Sequence, residues 1–151
     1  MSESLKVIAR RWFEEVWNSG RLEAVDEMFA ADGVGHGLGL SEADVHGPAE
    51  FKPFLLNMRG SIPDIHVDLQ DLIAEGDRVA IRVTLTGTHS GEGLGVPPTG
   101  RSVSFQGIII LRIVDGLIVE GWNSYDQLGL LQQIRALPSL GGGDRFLSLN
   151  E

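Results

Sequence analysis

Asp126 stands where a strand pattern gives way to a helical one, within the stretch from Asp115 to Arg135. A carboxylate at such a junction has two possible jobs. It can cap the helix, its oxygens accepting from the free N–H groups of the first turn. It can instead sit against an apolar wall, where desolvation raises its pKa toward neutrality and suits it to general acid/base work. The two roles shift the pKa in opposite directions, and position alone favours the cap. Alternation along the strand places Trp122, Ser124 and Asp126 on one face and Gly121, Asn123 and Tyr125 on the other. Trp122 is expected to be at least half buried, so Asp126 is expected to face the interior beside it. There it would act as a general base or acid. Candidate donors to a charge that develops beside it are His36 and His89, then Asn123 and the indole N–H of Trp122. Asn123 and Tyr125 rank second because they fall on the face opposite Asp126. His36 can equally be a structural hydrogen-bonder, and His89 an ordinary rim residue.

Other chemistries find less support. The four histidines (His36, His46, His66 and His89) are scattered singly, without the His-x-x-x-His or Glu-x-x-His spacing of a metal site. Cysteine is absent, which removes any thiolate nucleophile, and no Gly-x-Ser-x-Gly elbow occurs. Gly91-x-Gly93-x-Gly95 lies between strands, so the context of a dinucleotide fingerprint is missing. The glycines alternating around His36 lack the lysine of a phosphate loop. Neither metal nor cofactor is expected. A formal charge of −9 argues against a nucleic-acid groove. Arg10-Arg11, the nearest basic cluster, falls on the polar side of a helix. No apolar run approaches the roughly 20 residues that span a bilayer. The start, MSESLKVIARRW, lacks the apolar core of a signal peptide, so a cytoplasmic protein is expected.

The elements that must position these residues follow from periodicity. Leu5, Ile8, Ala9, Trp12, Phe13, Val16 and Trp17 form one helical stripe that stops at Asn18-Ser19-Gly20. Leu22, Val25, Met28 and Phe29 give a second helix. Pro48 opens a third, with Phe51, Phe54, Leu55 and Met58 on its buried side. Trp12, Trp17 and Phe54 are wide enough to serve both core and substrate. From Pro63 the period changes to two: Ile65, Val67 and Leu69, then Val79, Ile81, Val83 and Leu85, then the strand Val103 to Val114. Turns at Gly76-Asp77 and Asp115-Gly116 join these strands into an antiparallel meander. Helices first and sheet afterwards mean an α+β chain, with three helices packed on one face of the sheet and a short C-terminal helix. The apolar set Val103, Phe105, Ile109 and Leu111 is assigned to the other face, where a partner subunit would cover it. A homodimer or higher homo-oligomer is therefore expected. Residues 1–137 read as one domain and 138–151 as a flexible tail around Gly141-Gly142-Gly143.

Several short motifs, taken in order, resemble one family. They are Val34-x-His36, the Gly76-Asp77 turn, Gly87-Thr88-His89, Pro97-Pro98-Thr99-Gly100, and Trp122-x-x-x-Asp126 followed by Leu130-Leu131-x-Gln133. Together they resemble the SnoaL-like polyketide cyclases, also known as ester cyclases, over roughly Glu3 to Leu137. The resemblance implies a cone-shaped fold of the nuclear transport factor two-like type. It also implies cofactor-free intramolecular aldol ring closure of a small to medium hydrophobic keto ester, with the catalytic Asp carried over to Asp126. Trp12, Trp17, Phe54, Trp122, Asn123 and Tyr125 would then contact the substrate. Family members commonly read Gly-Lys-Ile-x-Glu-His-Trp and Gln-Leu-Gly where this chain has Leu117, Gly121, Ile134 and Arg135. The alternatives are another enzyme on the same scaffold (epoxide hydrolase, dehydratase, isomerase or cofactor-free hydroxylase) and a non-catalytic small-molecule-binding or dimerisation module. An epoxide hydrolase would need a second carboxylate and an arginine, for which Arg82, Arg112 and Glu120 are the candidates.

Overall fold

The amphipathic stripe that begins at Leu5 forms helix α1 (Ser2–Arg11) and runs on without a break into a π-helical segment, Trp12–Asn18. In this computed structural model, residues 2–39 and 43–136 are described. The expectation of a flexible tail over 138–151 lies outside them. The wider winding turns Trp12, Phe13, Val16 and Trp17 all inward. It closes where Ser19 N–H donates to Glu14 O at 2.9 Å, five residues back. The carbonyls freed at this end are taken by the guanidinium of Arg59, which donates to Trp17 O and to Asn18 O. Arg59 belongs to α3 (Gly47–Ser61), so the first helix is tied to the third at its end. Between them α2 (Leu22–Met28) buries Ala24, Val25 and Met28. Phe29, expected in that helix, instead starts a strand.

The sheet contains β1 (Phe29–His36), β2 (Val45–His46), β3 (His66–Glu75), β4 (Arg78–Thr88), β5 (Ser102–Val114) and β6 (Leu117–Tyr125), in the order β2-β1-β6-β5-β4-β3. From β3 to β6 it is the expected meander. Asp115 and Gly116 both take positive φ (52° and 79°), as a two-residue hairpin of type I′ demands. The periodicity did not reveal that β1 lies parallel to β6, with Gly35 opposite Gly121 and His36 opposite Trp122.

Helices cover the concave face of this curved sheet. Register places Leu85 beside Phe105, Ile81 beside Ile109 and Val79 beside Leu111, and all six are buried with the aromatic helix residues in one core. This corrects the assignment of Val103, Phe105, Ile109 and Leu111 to a face awaiting a partner. They belong to the face the chain's own helices cover, because that face alone carries the unbroken apolar alternation. The outer face instead carries Ile108 and Ile73, both exposed, among Arg82, Arg112 and Trp122. No helix among the described residues is long and apolar enough to cross a membrane.

Candidate active site

β6 alternates as its sequence requires, but the two faces are exchanged. Tyr125 pairs with Gly107, Asn123 with Ile109 and Gly121 with Leu111, so these residues share the inner face with the buried set of β5. Trp122 and Ser124 pair with Ile110 and Ile108 and lie outside. Trp122 is half buried, as expected, but by outer-face neighbours. His36 stacks on it at 5.8 Å, and the Arg78 guanidinium lies 4.9 Å from its ring. Asp126 follows the same parity and is exposed. Its carboxylate accepts from Gly129 N–H at 2.9 Å, as the N-cap of α4 (Gln127–Gln133). The expectation that Asp126 faces an apolar interior is therefore corrected. It borders a groove of about 280 Å³ on the outer face, with Arg82, Gln106, Ile108 and Ser124.

The two candidate histidines also stand apart from Asp126. His36 lies on the outer face, its Nδ1 2.9 Å from Asp44 and its Nε2 2.6 Å from Glu120. The Glu120 hydrogen bond, then that of Asp44, holds its pKa above the ordinary value. With a carboxylate on each ring nitrogen it has no donor left for an enolate. His89 is fully buried. Its Nδ1 accepts from Thr99 N–H at 3.3 Å and lies 3.0 Å from Thr99 Oγ1, which assigns the ring proton to Nε2. Nε2 has no partner. His89 also exchanges backbone hydrogen bonds with Gly100 and Arg101, so it pins the return of the loop after β4.

The inner face holds a cavity of about 360 Å³. Leu85, Phe105 and Tyr125 of the sheet form its floor, Phe54, Asn57 and Met58 of α3 one wall, and Leu130 and Leu131 of α4 another. Trp17, Leu38, Gly39, Gln127 and the loop Gly93 to Gly95 complete it. Of the predicted substrate contacts, Trp17, Phe54 and Tyr125 line this space. Trp12 is built into the core against Phe51 and Phe29, at 5.1 and 6.0 Å. Asn123 points inward, but its amide donates to His36 O at 2.8 Å. Neither Asn123 nor His89 is part of the cavity lining. The charges considered for epoxide hydrolysis are committed elsewhere: Arg82 to Asp71, Arg112 to Asp77 and Glu120 to His36.

Residues missed by the sequence reading come from three sources. Leu85 and Phe105 were visible as members of periodic sets, and Leu130 and Leu131 as part of a motif of the resemblance, though none of them as cavity walls. Asn57 is a polar residue on a helix with no signal of its own. The Gly91-x-Gly93-x-Gly95 run, set aside as a nucleotide motif, folds onto α3. Gly91 N–H donates to Ser61 O, Ser61 Oγ to Glu92 O, and Asn57 Nδ2 to Gly93 O at 2.9 Å. A side chain at position 91 would collide with Gly60 O, its Cβ only 1.7 Å away. Close backbone approach is what glycine provides here.

A curved sheet roofed by helices around a largely apolar cavity defines a scaffold for small hydrophobic molecules. The chain belongs to the SnoaL-like polyketide cyclase family, whose model matches residues 7–134. It is 31% identical over 121 residues to the nogalonic acid methyl ester cyclase of Streptomyces nogalater, covering 78% of this chain and 88% of that one. It is 27% identical to the aklanonic acid methyl ester cyclase DnrD of Streptomyces peucetius, over 89% of this chain and 92% of that one. Among solved structures it superposes with a TM-score of 0.81 on AclR of Streptomyces galilaeus, a candidate hydroxylase (29% identity, 99% of this chain and 90% of that one). With IdmH of Streptomyces antibioticus, a candidate polyketide cyclase, the TM-score is 0.75 (31% identity, 87% and 98% coverage).

Proposed function

We propose that the protein closes a ring within a hydrophobic keto ester by intramolecular aldol addition, without metal or cofactor, inside the cavity between the sheet, α3 and α4. The observation that carries this reading is the cavity itself. Its volume is about 360 Å³, and Trp17, Phe54, Leu85, Phe105 and Leu130 give it apolar walls. Family membership and the two ester cyclase relatives support the reaction class. The carbon between the two carbonyls of a β-keto ester is acidic enough that a small fraction is ionised in neutral water, and that enolate is the nucleophile. Confinement then does much of the remaining work. Holding the enolate carbon against a second carbonyl of the same molecule replaces a rare collision by a near-attack geometry, worth on the order of 7–11 kcal/mol at best. Apolar walls also exclude water that would otherwise solvate and quench the nucleophile. Asp126, capped on Gly129, has no part in this version of the chemistry.

The test is incubation with an aromatic keto acid methyl ester, followed by mass and absorbance. The expected product has unchanged mass and an altered chromophore. Unreacted ester at saturating protein overturns the proposal. The similarity to AclR favours hydroxylation as a second reading, and a product heavier by one oxygen atom would identify it.

A further inference from the structure

We infer that Tyr125 is the catalytic proton donor of this cavity, its hydroxyl meeting the carbonyl oxygen that gains charge as the ring closes. The inference rests on the ring-closing reading above and adds a residue to it. Four cavity-lining side chains carry polar hydrogens: Trp17, Asn57, Tyr125 and Gln127. Asn57 Nδ2 gives one hydrogen to Gly93 O and Gln127 Nε2 donates to Leu38 O and Gly39 O, at 3.3 and 3.1 Å, and a carboxamide N–H does not surrender its proton. Both serve to hold the walls. Among the described residues neither the Tyr125 hydroxyl nor the Trp17 indole has a hydrogen-bond partner, and neither is a sealed buried atom. An indole N–H can hold an oxygen but does not surrender its proton. A phenol can do both.

The position of Tyr125 is fixed before any ligand arrives. Its ring lies across Gly107, where an added Cβ would stand 2.5 Å from Cδ1. Its edge meets Phe105 at 6.5 Å and 67°. Gly107 is therefore the residue that makes room for the ring on the sheet, and Phe105 stops it from swinging. A donor held in this way needs no reorganisation when charge develops. Burial raises the pKa of the phenol, so it keeps its proton until a stronger base, the alkoxide of the closing ring, forms beside it.

The enolate carbon bonds to the carbonyl carbon, and the carbonyl π pair moves onto oxygen. The Tyr125 proton passes to that oxygen, giving the alcohol. The tyrosinate regains a proton from water at the mouth, which matches the one the keto ester gave up on ionising.

Tyr125→Phe keeps the ring and removes the hydroxyl. The expected result is a fall in kcat on the order of 10²–10³ with KM little changed. A second measurement uses a probe that cannot enolise, an aromatic β-keto ester carrying two methyl groups on its α carbon. Bound to the wild type, its ketone infrared band should move to lower frequency, and Tyr125→Phe should abolish the move while leaving binding in place. Binding with the same band in both proteins overturns the assignment of Tyr125 and leaves the cavity reading standing. A wild type that does not bind the probe overturns both. A shifted band with no turnover of the enolisable ester overturns ring closure, and with it the catalytic role, leaving Tyr125 a binding contact.

Discussion

Substitution at Asp126 separates the two jobs open to a carboxylate between a strand and a helix. As the cap of α4 it accepts from Gly129 N–H, so Asp126→Ala should cost about 1 kcal/mol of stability. Asp126→Asn, another good cap, should cost less. Turnover per folded molecule should stay at the wild-type level in both; a collapse of kcat in Asp126→Asn would return this carboxylate to the reaction. His36 makes a different prediction. Its raised pKa means the folded state favours the imidazolium, clamped by Glu120 and Asp44. That stabilisation is fully present below about pH 6.5, the ordinary histidine value, and fades as pH rises through the higher folded pKa. The melting temperature of the wild type should therefore fall from near pH 6.5 upward, and His36→Gln should flatten that part of the profile. At this scale, parity along β6 was legible and the identity of its faces was not. Trp122 reads as a core residue because its type says buried. What shields it is His36 and Arg78, brought in from β1 and β4 by pairings that no local pattern encodes.

Helix α4 does the work of a strand. β6 stops pairing at Tyr125, and Asp126 N–H makes one more bond to Gln106 O. Beyond it the side-chain amide of Gln133 takes over, accepting from Ser104 N–H and donating to Ser104 O, both at 2.8 Å. The exposed edge of β5 is thereby satisfied by a carboxamide in place of a peptide. Gln133→Leu removes both bonds and should cost about 1–3 kcal/mol by denaturant titration. It should also weaken binding of the dimethyl keto ester, because Leu130 and Leu131 on the same helix form a cavity wall. The helices, the meander and the Asp115-Gly116 hairpin were legible, since each rests on a period or on turn chemistry. The parallel pairing of β1 was not. Its glycines break the alternation, and its partner is set by the whole sheet.

The molecule as a whole gives up core volume to keep a void. Cavities lined by apolar groups forgo dispersion contacts, so a bound hydrophobic guest should stabilise the fold. Ligand at a hundredfold over its Kd should add about 2.7 kcal/mol, visible as a higher melting temperature. Leu131→Phe, which pushes bulk into the same space, should raise the melting temperature without ligand and blunt the response to it. The layer order was readable from the change of period at Pro63. The void was not, because it is defined by where side chains from α3, α4, two loops and the sheet all stop short. The placement of β1 beside β6 bears on how the protein is made. On the ribosome, the segment carrying Trp12, Phe13 and Trp17 emerges long before the strand that will sit next to β1. Until β6 has also left the exit tunnel, those aromatics lack their full sheet and stay open to chaperones.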